Sequence, residues 1–319
     1  MNFRYLYVFI ICFISIRCTH THWEATHFTK HPLVGKILNK ETGHLVELSE
    51  LKKHISEIKP DLILLGEVHD HPDHHTMHAK ILENLGKKML LGTLFLEHLD
   101  LDQNKILPDI FSGPKPFVDL EKKLNWGQGW DDFRFYEPMI KIALKAGQNI
   151  KGVNISRRDL KSLVKGELVP SLTKEDVLAL EKIQDLSGEL EDSLAEEIVK
   201  SHCNMFPKQH AHPIVKAQTL RDKIMTHSIL SSLRSGKISV FIGGNGHVRI
   251  DRGVPFYLSS RKPKLKLISI GFIQVDPGKT SKELYRVKPY DFIFFTPVFD
   301  VSDPCEKFRK SLEKMRKNS

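Results

Sequence analysis

Cysteine is scarce in this chain: four residues in 319, at positions 12, 18, 203 and 305. Two of these fall in or just after an apolar N-terminal run, which leaves Cys203 and Cys305 as the one candidate pair. Spacing alone does not establish that disulfide, and a buried small hydrophobe is the favoured reading of Cys203. Internal repeats and low-complexity linkers are lacking, as is the interleaving of aromatic and basic residues that marks a nucleic-acid-binding module, so nucleic acid is set aside as a partner. There is neither a nucleophile elbow nor a zincin helix. The apolar run at residues 5–16 is too short to span a bilayer.

What is present is ordinary globular material, 40% hydrophobic and 27% charged, enough for one large α/β domain or two smaller ones. The formal charge is +9. Residues 1–17 carry Arg4 and Arg17 and no acid, so +7 remains without them. Arg4 followed by the run at 5–16 reads as a signal peptide. Cys18 directly after it is similar to a bacterial lipoprotein processing site, although Arg17 replaces the small residue usual before such a cysteine. The expectation is an exported protein of the bacterial cell envelope, with Cys18 as a lipidation site. The basic tail at 301–319 reads as a solvated last helix.

Past an irregular segment at 19–60 with a short helix at 49–58, strands and helices alternate. Apolar runs predict strands at 61–66, 93–97, 149–154, 238–243, 266–272 and 291–296. Helices are predicted at 74–85, with Asp73 as N-cap, and at 137–146. The stretch 100–130 has little periodicity, and 172–234 reads as a helical insertion. The fold class is therefore α/β, a mostly parallel central sheet flanked by helices with a helical subdomain.

Chemistry-bearing residues gather where these strands end, the edge at which open α/β sheets bind ligands. Glu67 and His69 follow the first long strand, Glu97 and His98 close the second, and Asn154 ends the third. Gly243-Gly-Asn-Gly246 then delivers His247 and Arg249. Glu67, Glu97, His69 and His247 on one edge would suit a divalent metal ion or general acid–base work, and Arg249 could pair with a carboxylate at the rim. His71, His74, His75 and His78 include two i,i+4 pairs of the kind that ligate metals. A solvated helix face is nevertheless the favoured reading of His74 and His78. For Glu137, capping of a helix N-terminus is as good an explanation as catalysis.

Several of these motifs occur together and in consistent order: Leu65-Gly66-Glu67-x-His69-x-x-Pro72-Asp73-His74-His75, Phe95-Leu96-Glu97, Tyr136-Glu137-Pro138, and Gly244-Asn245-Gly246-His247-Val-Arg249-x-x-Arg252-Gly253-Val254-Pro255. Helical segments around His202-Cys203-x-x-Phe206-Pro207 and Gln218-x-x-Arg221-Asp222-x-x-Met225 accompany them. Over roughly residues 45–260 the chain resembles the ChaN-like haem-binding uptake family of the Tiki superfamily. The resemblance implies a haem-binding α/β domain at 45–300, a role in haem or iron uptake as an envelope lipoprotein, and a homodimer. Tyr136 and Tyr257 lie within matching motifs, and with Arg249 they are the candidate haem-binding residues. The alternative it leaves is a metal-dependent hydrolase of esters or amides, with Glu67 or Glu97 as the general base and His69 and His247 as metal ligands.

Overall fold

The computed structural model describes residues 22–89, 91–113, 117–126, 130, 132–307, 309 and 310. The expected leader, Cys18 and most of the basic tail lie outside them. Residues 304–307 are helical. Among the described residues the chain runs β1 (Ile37–Asn39), β2 (Leu45–Val46), α1 (Leu48–Ile58), β3 (Leu62–Glu67), α2 (Pro72–Lys88), β4 (Leu91–Asp100), α3 (Leu107–Ser112), α4 (Leu120–Lys123), α5 (Glu137–Lys145), β5 (Asn149–Asn154), α6 (Arg157–Val164), α7 (Lys174–Glu181), α8 (Gly188–Ser201), α9 (His212–Leu230), β6 (Ile238–Gly244), α10 (Val254–Arg261), β7 (Leu267–Gln274) and β8 (Phe292–Thr296).

The strands form one sheet in the order β2-β1-β8-β7-β3-β6-β4-β5. From β8 through β5 all pairings are parallel, while β1 joins β8 and β2 antiparallel. The six parallel strands are the six predicted ones. They were legible because a strand covered on both faces must be apolar throughout, and β3 is buried at every position. The β1–β2 hairpin was missed: strands of three and two residues carry too little pattern to register.

Side chains alternate across the sheet. Ile63, Leu65, Val240 and Ile242 pack on the face covered by α2 and α5, with Met77, Ile81, Leu85 and Met139. Leu62, Leu64 and Phe241 pack on the opposite face with Met225, Ile229 and Leu258 of α9 and α10. A third cluster, from Leu160 of α6 through Leu180, Leu194, Ile198 and Ile224 to Tyr257 of α10, packs the helical insertion against its neighbours. Prolines in the first turn open α2, α5, α9 and α10, where the missing N–H has no helical partner to lose. Helix α2 starts earlier than expected, with His71 as its N-cap residue. Asp73 is therefore not the cap. Its carboxylate accepts instead from the backbone N–H groups of Glu24 and Ala25, at 2.8 and 2.9 Å, and ties the segment before β1 to α2.

Cys203 and Cys305 are joined in a disulfide, with their Cα atoms 5.5 Å apart, which corrects the reading of Cys203 as a free buried hydrophobe. Cys203 sits just past α8 at φ +60°, the left-handed position that ends many helices. The bond ties the helical insertion to the C-terminal segment across 102 residues of sequence. A loop of that size loses much of its freedom in the unfolded chain when it is closed. Cys305→Ser is expected to lower the unfolding free energy by about 2–4 kcal/mol, read as a lower midpoint in chemical denaturation. An unchanged midpoint, with reductant added to the native protein also without effect, would show that the pair contributes no stability.

Candidate functional site

The carboxyl ends of β3, β6, β4 and β5 meet at one edge, where glycines make room for them. A Cβ on Gly66 would lie 2.3 Å from Asn245 Oδ1 and 2.6 Å from Val248 Cγ2. Glycine at 66 thus lets the loop after β6 cross the end of β3. Asn245 fixes that loop by exchanging hydrogen bonds with Phe272 of β7, Nδ2 to its carbonyl at 2.7 Å and Oδ1 from its N–H at 3.1 Å. A Cβ on Gly244 would come within 3.0 Å of His69 Nε2, so this glycine leaves room for the imidazole.

Two buried charged clusters result. In the first, Glu67 Oε1 accepts from the Tyr136 hydroxyl at 2.7 Å and lies 2.9 Å from both His69 Nδ1 and His98 Nε2. Burial would raise the Glu67 carboxyl, but His75, His98 and the hydrogen bond from His69 hold it well below the usual range, so it is ionised. Burial likewise acts to depress His69, and Glu67 and Glu97 outweigh it and raise its pKa. In the second cluster, His247 Nε2 lies 3.1 Å from Glu97 Oε1 and its Nδ1 lies 2.5 Å from Asp222 Oδ1. Glu97 Oε2 accepts from the Gly244 N–H at 2.7 Å. Burial opposes charge on His247, yet the two carboxylates hold its pKa up, to about 10.

Beside these clusters opens a crevice of about 620 Å³, whose lining includes His69, His98, Trp126, Trp130, Arg157 and Arg221. His69 meets Trp130 edge-on with ring centroids 5.2 Å apart. Asn154 also lines the crevice, and its Oδ1 accepts from Arg221 Nε at 2.9 Å. Asp100, another wall residue, is pushed up to about 6 by burial and by the neighbouring Asp102.

Glu67, His69, Glu97 and His247 converge as the strand ends suggested, but not as four ligands of one ion. Both nitrogens of His247 and both oxygens of Glu97 are committed to hydrogen bonds within the protein. Arg249 is not a crevice residue. Asp251 binds its guanidinium at 2.9 and 2.7 Å and Glu197 at 3.1 Å, because the turn after His247 carries it away toward α8. The arginines at the crevice are Arg157, Arg158 and Arg221. Arg157 and Arg158 open α6 just past β5, and sequence alone gave no reason to separate them from solvated charges. Tyr136 is fully buried and Tyr257, on α10, packs against the helical insertion, so neither lines the crevice. Glu137 sits in the first turn of α5 and pairs with Lys141 at 2.9 Å, and no side-chain hydrogen bond caps that helix.

The histidines of α2 reverse an expectation. His71, His74, His75 and His78 are all buried. His74 and His78 continue, at i+4, i+7 and i+11 spacing, into Ile81 and Leu85 of the apolar face, and that signal marked them as inward-facing. His74 is partnered on both nitrogens, Nδ1 accepting from the Val68 N–H and Nε2 lying beside Thr296 Oγ1, each at 3.0 Å, while His78 Nε2 donates to the Gly66 carbonyl at 3.0 Å.

The His247 cluster has a pH signature. Its folded pKa, about 10, lies above the unfolded value of about 6.5. The stability it contributes is therefore fully present below about pH 6.5 and is lost as pH rises through about 10. Imidazole NMR should find His247 still protonated at pH 8, and Asp222→Asn should shift its titration to lower pH. A ring that titrates near 6.5 in the native protein would remove the ion-pair assignment.

Comparison with known proteins agrees with the fold. The chain is similar to ChaN of Campylobacter jejuni, solved with cofacial haem binding, at 22% identity and a TM-score of 0.63, covering 81% of this chain and 95% of that one. An erythromycin esterase variant in its open conformation (13% identity, TM-score 0.45, 81% of each chain) and a protein from Bacillus cereus (16%, TM-score 0.40, 72% of this chain and 70% of that one) are more distant, too far to carry an argument. No curated protein sequence matches the chain. The family model described as haem-binding uptake, Tiki superfamily, ChaN matches residues 58–258, and the chain belongs to that family.

Proposed function

We propose that this protein binds haem in the crevice at the carboxyl end of the sheet, with His69 as the residue that meets the iron. The observation that carries this reading is the lining of the crevice. Two tryptophans offer flat apolar surface, Arg157, Arg158 and Arg221 offer charge to propionates, and His69 stands at the inner wall. A volume of about 620 Å³ falls within the roughly 300–1,000 Å³ usual for small-molecule sites. With Nδ1 of His69 held by Glu67, Nε2 is the nitrogen left for iron. Hydrogen bonding to a carboxylate through the other ring nitrogen fixes the tautomer and raises ligand basicity. The hydrolase alternative needs a base free to take a proton at the crevice. Glu97 and His247 are already fully engaged, which ranks it second.

Haem binding in the C. jejuni ChaN is cofacial. A pair of crevices from two copies of this chain, brought face to face by haem, is the corresponding arrangement here, which makes the loaded protein a homodimer. The Cys203–Cys305 disulfide favours an oxidising compartment, in keeping with export behind the apolar leader and with a lipid anchor at Cys18. These features fit an envelope protein that receives haem or iron for uptake.

Haemin titrated into the mature protein should give a shifted Soret band saturating at one haem per chain, and light scattering should report a dimer on loading. His69→Ala should change the Soret position and spin state. Arg157→Ala and Arg221→Ala should each weaken binding about tenfold, the loss of one charge-assisted hydrogen bond. Spectra matching those of haemin on an unrelated protein of similar positive charge, and unaffected by these variants, would overturn the assignment. For the anchor, labelled fatty acid should be incorporated by the native chain and not by Cys18→Ser; label retained in that variant would place the modification elsewhere.

A further inference from the structure

Behind the crevice wall, on the far side of the Glu67 carboxylate, three buried polar atoms without hydrogen-bond partners face one another: Glu67 Oε2, His75 Nδ1 and His78 Nδ1. Oε2 lies 3.4 Å from His75 Nδ1 and 3.5 Å from His78 Nδ1, and the three residues each offer a ligand atom within 4.8 Å of the others. The other nitrogen of each ring settles its tautomer. His75 Nε2 meets the His69 carbonyl at 2.8 Å, and His78 Nε2 meets the Gly66 carbonyl at 3.0 Å. A carbonyl only accepts, so Nε2 carries the proton and Nδ1 presents a lone pair. Two lone pairs and a carboxylate oxygen thus converge in a site closed to solvent, an arrangement that costs free energy unless something positive lies between them.

We propose that Glu67 Oε2, His75 Nδ1 and His78 Nδ1 form a binding site for a divalent transition-metal ion of the zinc or ferrous class, separate from the crevice. Ligand bonds of about 2.0–2.2 Å to a tetrahedral ion place neighbouring donor atoms about 3.4 Å apart, close to the spacing found. Two imidazoles and one carboxylate suit zinc or ferrous iron, whereas magnesium and calcium prefer all-oxygen sets. The supporting contacts are those of a built metal site. Each imidazole is aimed by a backbone carbonyl on its other nitrogen, and the carboxylate is aimed by Tyr136 and His98 on its other oxygen. Phe135 stacks on His75 at 4.9 Å, and His78 stands edge-on to Phe272 at 4.6 Å, so neither ring can swing away freely. A cavity of about 350 Å³ borders His75 on the side of Glu24 and Glu83. The crevice-side grouping of Glu67 with His69 and His98 differs, because its facing atoms already satisfy one another at 2.9 Å.

This site does not depend on the haem reading, and haem-free protein tests it. Mature protein stripped with chelator and titrated with Co²⁺ should bind one ion per chain with visible d–d absorption. His75→Gln and His78→Gln should each weaken binding by at least the roughly 10–100-fold that follows loss of a supporting partner alone, while His210→Gln, an exposed histidine of the helical insertion, leaves it unchanged. Should the ligand variants fail to fold, ¹⁵N imidazole spectra of the native protein with Cd²⁺ decide the matter. Two rings perturbed at Nδ1, with their Nε2 protons kept, support the inner site. One ring bound through Nδ1 and another through Nε2 places the ion among His69 and His98 and overturns the proposal, as does the absence of stoichiometric binding.

Discussion

An ionised carboxylate buried at the end of the central strand is the constraint on which this structure depends. Glu67 ends β3, which is flanked by parallel neighbours on both sides, and its side chain is shut off from water. Burying such a charge without partners would cost a large part of the stability margin of a domain. The surroundings are organised accordingly: Tyr136 comes from the residue before α5, His98 from β4, His69 from the loop after β3, and His75 and His78 from α2. One carboxylate therefore fixes the positions of α2 and α5 against the sheet, and the packing of Met77 and Met139 completes what the charge begins.

The second cluster repeats the solution on the neighbouring strands. Glu97 is inside β4, and the backbone N–H of Gly244 and the His247 imidazolium neutralise it. Asp222, from α9, holds the far side of the same ring. That link crosses from the sheet to the helical insertion, so the insertion is secured to the sheet edge by a charged hydrogen bond as well as by apolar packing. Removing one member of such a set leaves the others buried and unpaired, the costly outcome for buried ions.

How much of this was legible in the sequence follows from the physics of each signal. The parallel strands could be read because double burial leaves unbroken apolar runs, and the convergence of Glu67, His69, Glu97 and His247 followed from strand ends sharing an edge. Arg249 was misplaced because two residues of turn decide which way a side chain leaves a loop, and no periodicity records that choice. Asp222 is one acid on a helix of mixed character and shows its role only when α9 is seen against His247. The arginines of the crevice are similarly silent, since a basic residue at the start of a helix is common on any surface. For His74 and His78 the signal is present: their spacing aligns them with Ile81 and Leu85, and that apolar stripe, not the polarity of histidine, decides which way they face.

The two oxygens of Glu67 face opposite ways, and this sets the sign of any exchange between the inner triad and the crevice. Oε1 faces His69 and His98, and Oε2 faces His75 and His78. A cation against Oε2 would draw negative potential away from Oε1 and weaken its hold on the His69 proton. His69, which Glu67 keeps more basic than usual, would then release its proton at lower pH and present an unprotonated ring to a ligand over a wider range. Occupation of one side thus favours lone-pair binding on the other. The effect passes through one carboxylate and requires no movement of the backbone, since a charge placed within a few ångströms of a low-dielectric site acts through the field alone.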